Sequence, residues 1–146
     1  MEPNPDHQRL VQRWFFDLFA GGQLDLLDEL VAPTFVTRDP GDKIGAADPA
    51  SFKSWLQWYC ATFTDQQWTI HEIISAGDKA VVRYSGQTTY RGGLFDLPPT
   101  DKPVREIGIL VFRIVDGKVH ELWTALCDLE LVFALGGQVL PAIKHA

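Results

Sequence analysis

The chain has 146 residues, enough for one domain over 1–146 that buries roughly two thirds of the surface its unfolded form exposes. Thirteen Lys plus Arg against nineteen Asp plus Glu leave a formal charge of −6 with no basic run, so no nucleic acid is expected as a partner. No apolar stretch approaches the ~20 residues of a membrane span, the start Met1-Glu2-Pro3-Asn4-Pro5-Asp6 is unlike a signal peptide, and Cys60 and Cys127 lack Cys-x-x-Cys spacing; a cytoplasmic chain with no membrane partner, reduced thiols and no zinc site is expected.

Leu10, Val11, Trp14, Phe15, Leu18 and Phe19 recur at helical spacing and Gly21-Gly22 stops them, which predicts an amphipathic first helix. A second, short helix over about Leu24 to Leu30 leads through Pro33 to an extended Phe35-Val36-Thr37, and Asp39-Pro40-Gly41-Asp42 reads as a turn. Asp48-Pro49 is a cap followed by proline at a first helical position, and Phe52, Trp55, Leu56, Tyr59, Cys60 and Phe63 share one face of the helix it starts. Strands follow over Trp68 to Ala76, Ala80 to Tyr90, Val104 to Val115 and Val119 to Leu126, joined as sequential hairpins into an antiparallel sheet. Ile107 to Phe112 shows no polar alternation, so that strand is covered on both faces; helices can cover one, and a homodimer is expected to cover the other. Asp128 can cap a last helix from Leu129 to Leu135, closed by Gly136-Gly137. Helices first and then a strongly curved antiparallel sheet give an α+β cone, with the first and third helices over a concave face that they do not fill. The cavity so enclosed is lined by aromatic rings and suits a small apolar molecule.

Five segments, in order, carry a resemblance over nearly the whole chain: Gly21-Gly22-Gln-Leu-Asp-Leu-Leu-Asp-Glu-Leu-Val-Ala-Pro33, Ala76-Gly77-Asp78-Lys79-Ala-Val-Val-Arg83-Tyr84, Leu97-Pro98-Pro99-Thr100 with Lys102-Pro103-Val104, Phe112-Arg-Ile-Val-Asp-Gly-Lys118, and Leu135-Gly136. The chain resembles the SnoaL-like polyketide cyclases of the nuclear transport factor 2-like superfamily. The resemblance implies that cone and a pocket chemistry of acid/base type without a cofactor. Ring-closing members use an Asp on the last strand, a His on the strand before it and an Asn after the short second helix. Those places fall here on Thr124, Leu110 and Thr37, and a threonine hydroxyl does not exchange protons unaided near neutral pH. An Asp that many members carry four residues after the last-strand Trp is Cys127 here, with Asp128 displaced by one.

If Leu110 and Thr124 line the pocket, even-numbered strand residues face inward, provided that the last hairpin turns through a three-residue loop with Gly117 left-handed. On that parity Glu106 is the preferred catalytic base, a carboxylate whose loss of hydration would raise its pKa, with His120 as proton shuttle and Asp128 near the mouth. Each has a plainer reading: Glu106 as a solvated strand end, His120 as a hairpin surface residue, Asp128 as the helix cap. Tyr84 rather than Arg83 faces the pocket. Trp14, Trp55, Tyr59, Phe63, Tyr84, Phe95, Leu110 and Thr124 are the expected substrate-contacting residues, with core packing the alternative for the aromatics. His71-Glu72 and His120-Glu121 cannot grip a metal, because adjacent strand residues point to opposite faces. The loop Arg91 to Pro99 is read as a lid or as a dimer contact. Isomerisation, cyclisation or addition of water on a polycyclic or terpenoid molecule is the expected activity, and passive binding of such a molecule the alternative.

Overall fold

The computed structural model describes residues 2–142, so the ends of the expected 1–146 domain lie outside the described residues. Helix α1 (Pro5–Gln12) starts ahead of Leu10 because the Asn4 side chain accepts the Asp6 N–H at 2.9 Å and Pro5 sits where no N–H is needed. It runs on as a π-helical segment (Arg13–Ala20), a wider winding than the ordinary helix expected; at its end the Gly21 N–H reaches back five residues to the Phe16 carbonyl at 2.9 Å. Along this continuous helix Leu10, Val11, Trp14, Phe15 and Leu18 are buried, while Phe16 turns out to solvent.

A 3-10 turn (Leu24–Leu26) and a short α2 (Leu27–Leu30) stand where one second helix was expected. Helix α3 (Pro49–Thr62) begins where Asp48-Pro49 places it. The Asp48 carboxylate accepts the Ser51 hydroxyl and, at 2.7 Å, the Ser51 N–H, which together hold it below the ordinary carboxyl range. A carboxyl depressed by folding stabilises above its ordinary value and loses that contribution as pH falls through the folded value. Asp48→Ala is therefore expected to lower Tm at neutral pH, with the gap to wild type shrinking in acid, as thermal melts at both conditions would show.

Strands β1 (Val31–Arg38), β2 (Phe63–Ala76), β3 (Lys79–Tyr90), β4 (Val104–Val115) and β5 (Lys118–Leu126) form one sheet in the order β1-β5-β4-β3-β2. Hairpin connections make β2 to β5 antiparallel, as expected. The sheet is nevertheless mixed, because β1 lies parallel to β5 at the edge. Register shifts in β2 between Thr64 and Gln67 and between Ile70 and Glu72 bend the sheet, which stays unclosed. The result is the curved α+β architecture expected, with its main core of Trp14, Phe15, Leu56, Val82, Leu110 and Phe112 among others between helices and sheet. A second cluster joins Tyr59, Phe63, Tyr90, Val104 and Leu135 to Leu94 and Leu97 of the β3–β4 loop.

The last hairpin differs from the expectation in a way that moves a candidate residue. Val115 pairs with Lys118 across a two-residue turn, Asp116 and Gly117, with φ of 51° and 74°. Alone this turn would pair even with odd positions. His120, left over between the pairs Ile114–Val119 and Arg113–Glu121, is the extra residue of a bulge that restores the even pairing from Leu122 onward. Helix α4 (Asp128–Ala134) also shifts by one: Cys127 holds the cap position without a side-chain hydrogen bond, and Asp128 is the first helical residue, so its expected capping role is not realised. The helix closes as expected at Gly136, with the Gly137 N–H on the Val132 carbonyl at 2.8 Å.

Candidate active site

A cavity of about 210 Å³ lies between the inner face of β3, β4 and β5 and the side chains of the π-helical segment and α3. Four tryptophans, four phenylalanines and two tyrosines line it, together with Leu94, Glu106, Leu110, Leu122, Thr124, Leu126, Asp128 and Leu131. Trp55 and Trp58 are 42% and 39% exposed and Asp128 is exposed, so the expected enclosure gives way to an open mouth between α3 and α4.

Two glycines make room for the lining. A Cβ at Gly86 would overlap the Trp68 ring, and one at Gly108 would stand 2.9 Å from the Tyr84 hydroxyl and 2.8 Å from Leu126. Parity along β3 is strict: Ala80, Val82, Tyr84, Gly86, Thr88 and Tyr90 are all buried on the inner face, and Arg83 faces outward. The preference for Tyr84 over Arg83 in the cavity matches this geometry.

Glu106 enters from β4 opposite Gly86, not from a solvated strand end. Its Oε2 accepts two hydrogen bonds, from the Tyr59 hydroxyl at 2.7 Å and from the Thr88 hydroxyl at 3.0 Å. Its Oε1 has no partner among the described residues. No buried side-chain oxygen or nitrogen there goes unpaired, so Oε1 is the accessible oxygen and opens on the cavity. Loss of hydration raises the Glu106 pKa, the two hydroxyl donors oppose that rise, and nearby Asp128 adds to it. Tyr84 is pushed up by burial and by the Glu106 and Asp128 charges, so its phenol stays protonated, and its hydroxyl has no partner among the described residues. Tyr59 is pushed up by burial and by Glu106. In Tyr59→Phe the loss of a donor to the charged form moves the Glu106 pKa further up, an expected shift readable from the pH dependence of its side-chain carboxyl carbon resonance.

Of the residues expected at the site, Trp14, Trp55, Tyr59, Phe63, Tyr84, Glu106, Leu110, Thr124 and Asp128 line this cavity. Two do not. His120, as the bulge residue, yields the inward place to Val119, which is fully buried. Phe95 is 76% exposed, and its neighbour Leu94 takes the place expected of it. The cause is Tyr90, whose hydroxyl accepts the Leu94 N–H at 2.8 Å and donates to the Leu97 carbonyl at 2.7 Å, tying the loop down by its backbone. Thr88 was not anticipated; the inner-face parity of β3 is the signal that points to it. Among the described residues no three His, Cys, Asp or Glu side chains converge as a metal site.

Over residues 9–132 the chain matches the family described as SnoaL-like polyketide cyclase. It belongs to that family. No curated protein matches it in sequence. Among solved structures, a candidate polyketide cyclase from Acidithiobacillus ferrooxidans superposes with a TM-score of 0.81 at 21% identity, over 93% of this chain and 98% of that one. IdmH from Streptomyces antibioticus, also a candidate polyketide cyclase, gives 0.77 at 24% over 91% and 99%. An epoxide hydrolase of M. tuberculosis, of the type described as LEH-like, gives 0.68 at 13% over 89% of each chain. At these identities the likeness establishes the fold. Within this SnoaL-like chain, Leu110 and Thr124 are paired neighbours on the cavity wall, whereas Thr37 is absent from it: its hydroxyl accepts the Ala46 N–H at 2.7 Å and pins the loop after β1.

Proposed function

We propose that this chain is a cofactor-independent acid/base enzyme that takes a proton from carbon in a small hydrophobic substrate, of the isomerase, cyclase or hydratase type. One observation carries the reading: a dehydrated carboxyl, Glu106, with one oxygen held by Tyr59 and Thr88 and the other free toward an aromatic-walled cavity. Glu106 Oε1 removes a proton next to a substrate carbonyl, and the protonated Tyr84 hydroxyl donates to the oxygen on which negative charge develops. A volume of about 210 Å³ lies below the roughly 300–1,000 Å³ of drug-sized pockets, which favours one or two rings over a larger polycycle. Both thiols are free, as suits a cytoplasmic setting. Among the described residues no helix is long and apolar enough to cross a membrane.

The test is deuterium exchange at the carbons flanking the carbonyl of β-tetralone in heavy water, followed by proton NMR. Acceleration by the wild-type chain that Glu106→Gln removes supports the proposal; bound β-tetralone with no acceleration sinks it. That second outcome is the one expected of a non-catalytic binding domain, a reading favoured by Thr124 and Leu110 at the places where relatives carry acid/base groups.

A homodimer through the outer sheet face belongs to the same proposal. Ile109, 45% exposed, is flanked there by Ile107 and Val111 and by charges of both signs: Arg83 beside Glu72, and Arg113 and Arg38 on Glu121. A two-fold partner could match such a face to itself. Ile109→Arg is expected to convert the dimer to monomer in light scattering; a monomer at all concentrations for the wild type would end this idea.

A further inference from the structure

We infer that the cavity selects a protonated hydrophobic amine, an ammonium carried on one or two rings, over neutral or acidic molecules of the same skeleton. The inference rests on the cavity being the ligand site, as proposed above, and not on Glu106 turning anything over. Its starting point is a missing counter-charge. A carboxylate removed from water normally acquires a cationic partner, yet among the described residues Glu106 has only hydroxyl donors, and no Lys, Arg or His of those residues lines the cavity. Arg83 and Arg105 turn elsewhere, each 3.9 Å from a carboxylate, Glu72 and Glu130 respectively. Among the described residues the charged lining groups are Glu106 and Asp128, both acids.

The remaining wall is suited to the same charge. An aromatic face is negative at its centre and attracts an ammonium, most strongly where the ion is out of water, and tryptophan is the best of the three rings. Trp14, Trp55, Trp58 and Trp68 all line the same cavity as Glu106. A bound ammonium would donate to Oε1, while the rings of the ligand stack in the apolar remainder. A carboxylate or phosphate on the same skeleton would meet two like charges and no cation. A neutral alcohol would lose nothing and gain no ion pair.

Isothermal titration calorimetry near neutral pH with three probes of one skeleton tests this: naphthylmethylamine, naphthylmethanol and naphthoate. The amine is expected to bind at least roughly tenfold tighter than the alcohol, with naphthoate weakest. In Glu106→Gln the preference for amine over alcohol should collapse. Should that variant fail to fold, Asp128→Asn, at the exposed mouth, should reduce the preference in the same direction. Equal binding of amine and alcohol, a preference that survives both substitutions, or no binding of any probe overturns the inference. Exchange of β-tetralone with no amine preference removes this selectivity alone. An amine preference without any exchange removes the acid/base reading alone.

Discussion

Glu106→Gln is expected to slow deuterium exchange into β-tetralone by about 10²–10⁴-fold, the range that a positioned general base contributes, with little change in binding of the ketone. The amide oxygen of glutamine can still accept from the Tyr59 and Thr88 hydroxyls, now at 2.7 and 3.0 Å from Oε2, so the side chain keeps its place. Its other end becomes an NH2 group that can take no proton. A rate loss confined to kcat, with KM steady, is thus the signature of the role assigned to Oε1; parallel changes in both would mean that the residue only shapes the pocket.

The same substitution has a stability consequence with a definite sign. Folding raises the Glu106 pKa, chiefly by dehydration, so between its ordinary value of 4.5 and the folded value the native state holds more protons than the unfolded one. Wild-type stability therefore falls as pH rises through that window, and the glutamine variant, which has no charge to dehydrate, escapes the fall. Thermal melts should show Glu106→Gln at least as stable as wild type at neutral pH, with the difference disappearing in acid. The proposed exchange activity is expected to show an acid limb above the ordinary glutamate range, because only the ionised carboxylate can act as base. A variant that loses activity while matching or exceeding wild-type stability leaves no room for misfolding as the cause.

Much of this arrangement is legible in the chain itself, and the exceptions have physical reasons. Asp48-Pro49 announces α3 because a cap acceptor followed by a residue without an N–H satisfies a helix start locally. Val104 to Val115 is delimited to the residue because β-branched runs ended by Asp-Gly have few other uses. Alternation places Glu106 and Leu110 on one face of β4 without knowledge of any contact; Thr124 joins them through the resemblance and an expected three-residue turn, in whose place the structure has a two-residue turn and a bulge. It fails at His120 because a bulge is a tertiary compromise: the Asp116-Gly117 turn imposes one register, the core requires the other, and one residue is expelled between them. It fails at Phe95 because a loop with φ of 49° and 56° at Phe95 and Asp96 has no period, and its course is set by the distant Tyr90 hydroxyl. The π-helical winding after Gln12 and the parallel edge strand β1 likewise answer to packing partners far along the chain, Phe112 among them for Trp14.

Trp14→Ala is expected to destabilise the fold by about 3–5 kcal/mol, the cost typical of removing a large buried aromatic side chain. Trp14 is 1% exposed, stands edge-on to Phe112 at 5.4 Å, and has the rings of Phe52, Phe19 and Phe35 at 5.6, 6.0 and 6.3 Å. It therefore ties the π-helical segment to α3, β1 and β4 at once, and no neighbour can relax into its place without losing its own contacts. Against a total stability of about 5–15 kcal/mol the loss is a large share, and Tm should fall on the order of 10 °C. What separates Trp14 from an ordinary core residue is that it also lines the cavity, so the vacated volume merges with the existing 210 Å³ rather than forming a sealed void. Apolar ligands should then recover part of the loss, because a molecule that binds only the folded chain stabilises it in proportion to the logarithm of its concentration over Kd. Urea unfolding of wild type and Trp14→Ala with and without naphthylmethanol measures both quantities. A larger ligand-induced gain in the variant than in wild type would mean that the removed ring bordered the space the ligand fills; an equal gain would put Trp14 behind the wall rather than in it.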